Sequence, residues 1–132
     1  MTLNAALKAI SMAEKKASEL GVKVSIAVVD NSGITIASAK MDGSISISPE
    51  FAYTKAYTSA SIGAPSKDLE GYAEEGKPYY GLNSIFGGKL TTIAGGQPVM
   101  IDGKLVGGVG VGGSMDVGQD NLCAIAALEA FK

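Results

Sequence analysis

The stretch that most constrains this chain is KLVGGVGVGG, residues 104–113, in which glycine and valine alternate. Side chains on a strand alternate between its two faces. Gly108, Gly110 and Gly112 therefore turn one way, and Val109 and Val111 the other. One face of the strand is a bare backbone track. Either a helix packs onto it at close range or a ligand lies flat on it, and packing is the favoured role. A partner is at hand, because EFAYTKAYTSAS carries Ala52, Ala56 and Ala60 at a spacing of four, a flat helical face. The same run contains Gly108-x-Gly110-x-x-Gly113, formally a dinucleotide fingerprint. Its glycines lie within a strand rather than after one, and the 19 residues that follow are too few for the rest of a βαβ unit.

The other elements follow from periodicity. Leu3, Leu7, Ile10, Ala13, Ala17 and Leu20 recur at spacings of three and four, which predicts an amphipathic helix capped by Thr2 and stopped at Gly21. VKVSIAVVD reads as a buried strand, Asp30-Asn31-Ser32-Gly33 as a turn, and ITIASAKM as its antiparallel partner. Ser48-Pro49-Glu50 opens a second helix with a capping hydroxyl, a proline and a carboxylate near the dipole. Gly63-Ala64-Pro65 stops it, Ser66 caps a shorter helix, and Gly76 to Gly88 is a loop. KLTTIA, PVMID and KLVGGVGVG predict three further strands, with Asp102-Gly103 as the hairpin signal. A last helix runs from about Val117 to Phe131, capped by Ser114 or Asp116. The expected fold is a single α+β domain over residues 1–132, with a five-stranded antiparallel sheet and helices packed against it.

Absences exclude much chemistry. The chain has no histidine, no arginine and no tryptophan. Triads built on imidazole, histidine-ligated zinc and arginine forks are all out of reach. Cys123 stands alone, so no internal disulfide forms, and LCAIAAL reads as buried. A net charge of −2 without a basic run argues against a nucleic-acid partner. No apolar run approaches the ~18 residues of a membrane span, and MTLNAALKAI lacks the charged start of a secretory signal, so the expectation is a cytoplasmic protein.

Several polar and aromatic groups stand out. Lys40 and Asp42 share one side of a strand end, and Lys55 interrupts an otherwise small, apolar helix. A long charged side chain there must snorkel or meet a partner. Asp30 reads equally as turn chemistry. Tyr79 and Tyr80 sit in a Gly/Pro-bounded loop, where exposed aromatics line pockets or interfaces. Met41, Met100 and Met115 read as gap fillers.

Taken in order, AVVDNSG, AKMDG, EFAYTKAYTSAS, GGQP, DGKLVGGVGVGGS and GQD resemble the GlcG/HbpS family, whose relatives include the C-terminal domain of PduO. The resemblance covers almost the whole chain. It implies a profilin-like fold and small homo-oligomers, and some members of the family bind haem. By motif it carries over Asp30, Lys40, Asp42, Lys55, the Gly95-Gly96 turn with Pro98, and Ser114 with Asp120. The chain departs from the family in having no histidine, in Lys40 where arginine is common, and in Gly118 where glutamate is common. Haem would therefore need Met, Tyr, Lys or Cys as axial ligand, and weak or no haem binding is expected.

The function expected is an oligomeric small-molecule-binding protein. Its ligand would be a planar or small anionic metabolite held between the Lys55 helix, the Lys40–Asp42 hairpin end and the Tyr79–Tyr80 loop of the same or a neighbouring subunit. One alternative is a small lyase or isomerase with a lysine base and an aspartate partner; another is a structural assembly module.

Overall fold

The computed structural model describes residues 1–132. Four antiparallel strands form one sheet in the order β2-β1-β4-β3, with β1 at Ser25–Asp30, β2 at Thr35–Lys40, β3 at Gly96–Ile101 and β4 at Lys104–Gly112. Helix α2 (Ser48–Ile62) covers one face, while α1 (Leu3–Leu20) and α4 (Val117–Ala127) cover the other. The short α3 (Glu70–Ala73) precedes the long loop. The α+β expectation holds, with four strands rather than five.

The missing strand is KLTTIA. Three of its backbone groups bond to side chains rather than to a neighbouring strand. Thr91 N–H donates to Thr58 Oγ1 at 3.0 Å, and Ile93 N–H to Thr91 Oγ1 at 3.2 Å. Ser66 Oγ donates to Ile93 O at 2.6 Å. Once hydroxyls meet these donors and acceptors, no ladder is needed.

The glycine track is a packing surface. Ala27 and Val29 of β1 and Ala52, Ala56 and Ala60 of α2 form one small buried cluster over it. A Cβ on Gly108 would meet Ala56 O, and one on Gly110 would meet Ala52 O, both inside van der Waals contact. On the opposite face, Val109 and Val111 join Ile26, Val28 and Val99 against α1 and α4. The predicted stripe of α1 is shifted, however. Ala6, Ala9, Ala13 and Ala17 are buried, whereas Leu3 and Leu7 are half exposed, because small residues let α1 approach α4 and the sheet closely.

Several local readings hold. Thr2 Oγ1 accepts from Ala5 N–H, and Asp116 Oδ1 caps α4 through Gly118 N–H. Asp30 Oδ1 accepts from Ser32 N–H at 2.8 Å and Ile34 N–H at 3.0 Å, which is turn chemistry. Asp102 and Gly103, with φ of 51° and 76°, make the tight β3–β4 hairpin, a pair of positive angles that Asp-Gly accepts readily. Two caps differ. Ser48 does not cap α2; its hydroxyl is buried against Ser25 Oγ at 2.8 Å and pins the helix start to β1. Ser66 caps nothing either, since its hydroxyl bridges Ile93 O and Gly96 N–H. The last helix is α-helical to Ala127 and finishes as a 3-10 turn over Leu128–Phe131.

This packing makes a direct prediction. Gly110→Ala should drive a methyl into the α2 backbone and destabilise the fold by about 3 kcal/mol or more, since a backbone cannot yield as a side chain does. Gly71→Ala, with open space around its Cβ, should leave the urea midpoint unchanged or raise it. Equal midpoints for the two variants would show that α2 does not sit on the track.

Candidate functional site

Lys55 emerges from the middle of α2, and its side chain is only 2% exposed. Nζ donates to Asp120 Oδ2 at 3.0 Å and to Val111 O at 2.9 Å, with the Phe51 ring centroid 6.0 Å away. Asp120, in the first turn of α4, is 1% exposed, and its Oδ1 accepts from Ser114 N–H at 3.0 Å. One ion pair thus joins the helix on one face of the sheet, the end of β4, and the helix on the other face.

The neighbouring glycines make room for it. A Cβ on Gly95 would lie 2.9 Å from Lys55 Nζ and 2.6 Å from Val111 O. A Cβ on Gly96 would strike Lys55 O. Ser66 holds this turn by accepting from Gly96 N–H at 2.9 Å. Five residues singled out in the sequence therefore come together here: Lys55, Gly95, Gly96, Ser114 and Asp120.

The other four do not join them. Lys40 lies at the end of β2, near the start of α2, and its Nζ donates to Ser44 O at 2.7 Å. It lines a cavity of about 280 Å³ with Ser25, Ser38, Pro49 and Tyr53. Asp42 is exposed just beyond the strand and pairs with no lysine. Tyr79 walls a second cavity of about 320 Å³ at the far end of α2, with Ile62, Leu69, Tyr72, Leu82 and Leu90. Tyr80 is two-thirds exposed in the same loop and lines neither cavity. Lys40, Lys55 and Tyr79 thus mark three places along α2 rather than one pocket.

Burial dominates the electrostatics. Desolvation pushes Lys55 below the ordinary lysine value and Asp120 above the ordinary carboxylate value, and the attraction between them opposes both shifts. Burial raises the Cys123 thiol to about 11, so it stays protonated and unreactive. No three cysteine or carboxylate side chains gather as a metal site. The sequence did not reveal Ser25, Ser66, Leu69 or Leu82 as contributors, because none carries a local signal; their roles come from neighbours distant in the chain.

Removing one member of the pair should be costly. Lys55→Met leaves Asp120 buried without its cation and should cost about 3–5 kcal/mol at neutral pH. Without Lys55, the folded-state pKa of Asp120 is raised further above its unfolded value near 3.8. The variant should therefore keep most stability below that value and lose it as pH rises through the interval between the two. The double variant Lys55→Met/Asp120→Asn should recover most of the loss, because neither charge is then stranded. Urea unfolding across pH checks all three; a flat pH profile for Lys55→Met would show that Asp120 is solvated.

Relatives carry the same architecture. Residues 1–129 match the family described as haem degrading protein HbpS-like. A 15.0 kDa protein from the dhaT-dhaS intergenic region of Citrobacter freundii is 35% identical, over 99% of this chain and 92% of its own. The crystal structure of Klebsiella pneumoniae ORFY superposes with a TM-score of 0.95 at 33% identity, covering 99% of this chain and 90% of that one. A PduOC:heme complex superposes at 0.93 with 30% identity, covering 98% and 94%. Against the whole corrinoid adenosyltransferase PduO of Salmonella typhimurium, 32% identical, the match takes up only 35% of that protein. The chain belongs to the HbpS-like family.

Proposed function

We propose that this protein binds a planar, largely apolar small molecule in the Tyr79 cavity. The observation that carries this reading is the lining: all six residues are apolar or aromatic. Tyr79 N–H donates to Tyr72 O at 3.1 Å, which ties the two aromatic walls together. Apolar cavities with few polar groups are the usual sites for small ligands, and flat aromatic walls favour flat guests. The haem held by the PduOC structure is such a guest, and this supports the reading.

Haem iron finds poor ligands in this chain. Histidine is absent, the Cys123 thiol is buried and protonated, and the Lys55 ammonium is committed to Asp120. Tyr72 and Tyr79 are the cavity's own oxygen donors. Ring contact rather than iron ligation would hold the guest. Lys55 as a base is disfavoured by geometry, because Lys55 and Asp120 line none of the larger cavities; Lys40 and Asp42 border one shallow hollow with Glu14 and Lys23.

With no tryptophan, tyrosine emission is the intrinsic signal, and two of the five tyrosines, Tyr72 and Tyr79, line this cavity. Protoporphyrin IX should quench it saturably, and metal-free ring and haem should bind equally tightly. Tyr79→Ala should weaken binding about tenfold, the scale expected for removing an aromatic wall and the apolar area it covers. Absence of saturable quenching would overturn the reading, as would an affinity unchanged by Tyr79→Ala.

The working form is a homo-oligomer in this proposal. Leu122 and Ile125 on α4, Phe86 in the loop and Met115 before α4 all remain exposed, Met115 to 94%. Exposed apolar side chains of this kind are what subunit contacts cover. Light scattering at micromolar concentration should give a multiple of the chain mass; a clean monomer would refute it.

A further inference from the structure

A second site lies at the opposite end of α2. Because α2 follows the glycine track of β4, the same face of edge strand β2 is left uncovered. The pairings Ala27↔Ser38 and Ser25↔Lys40 put Ser38 and Lys40 on that face, since Ala27 packs beneath α2 and Ser25 bonds Ser48. The result is the trough of about 280 Å³ between β2 and the first turns of α2. Its walls carry Lys40, the hydroxyls of Ser38 and Tyr53, and an aliphatic floor of Ala27 and Pro49.

The trough has one positive charge and no negative one. No carboxylate lines it; Lys40 also borders a neighbouring hollow with Glu14, Lys23 and Asp42, yet it is in none of the chain's three ion pairs. Its ammonium has three donors and spends one on Ser44 O. Tyr53 hydroxyl reaches Gly33 O only at 3.5 Å, too long to commit it. Proline at the helix start offers no N–H to the trough.

We propose that this trough binds a short monoanionic hydroxycarboxylate. Lys40 meets the carboxylate, the Ser38 and Tyr53 hydroxyls meet the ligand hydroxyl, and Ala27 and Pro49 take its short carbon chain. A single ammonium balances one charge, whereas a phosphate dianion would remain half-neutralised. The aliphatic floor is Ala27 and Pro49, which suits a short carbon chain. This site is independent of the Tyr79 cavity, and either can fail without the other.

Lactate is the probe, titrated at constant ionic strength into ¹⁵N-labelled protein. Amide shifts should concentrate at Ser25, Ser38, Lys40 and Tyr53, with a Kd on the order of 1 mM for so small a ligand. Lys40→Met should raise that Kd at least about tenfold, the scale of a missing charge-assisted hydrogen bond. Ser38→Val, on an exposed strand position that suits valine, should weaken lactate while sparing propionate, which lacks the hydroxyl. The neutral isostere lactamide should not bind. The proposal is overturned if lactate shifts no amides in the trough, if lactamide or inorganic phosphate binds as tightly as lactate, or if Lys40→Met leaves the affinity unchanged.

Discussion

Everything in this fold follows from how closely α2 approaches β4. Three glycines on one face of a strand and three alanines on one face of a helix remove the side chains that normally hold the two elements apart. The gain is dispersion and the exclusion of water along two backbones; the constraint is that nothing larger fits. Because the helix must lie on that track, it cannot centre itself over the sheet. Its position leaves β2 uncovered at one end and an apolar hollow beside Ile62 at the other.

The same approach brings Lys55 within reach of Val111 O and Asp120. Two charges in such a place cost several kcal/mol each to desolvate, and good geometry returns only part of that. What the pair adds is definition. Hydrophobic contacts alone would let alanine and glycine surfaces slide, whereas an ammonium bonded to one carbonyl and one carboxylate fixes α2, β4 and α4 in register. Ser114 N–H completes the carboxylate's coordination from the β4–α4 connection.

The two proposed binding places are thereby separated from the scaffold along α2. Its middle is committed to the sheet and to Asp120, and its two ends border cavities of opposite character. One end meets a cationic, hydroxyl-rich trough, the other an apolar cavity with aromatic walls. Within a family whose members share this frame, residues at the ends of α2 can change with less consequence for folding than those at its centre.

Much was written locally in the sequence. The Gly/Val alternation, the alanine spacing, the Asp102-Gly103 turn and the capping role of Thr2 act over a few residues, and each formed as read. The six motif blocks pointed to the family, because their order along the chain survives without knowledge of contacts. What only tertiary structure decided were relations between distant residues. KLTTIA has strand composition, yet hydroxyls from Thr58 and Ser66 took its backbone bonds and kept it out of the sheet. Lys55 announced that it needed a partner; that the partner is Asp120, 65 positions away, depends on how two helices meet across a sheet. Within one chain, Lys40, Lys55 and Tyr79 lie at separate places for the same reason. Sequence spacing states which face a residue takes on its own element, while only the packing of elements sets which faces meet.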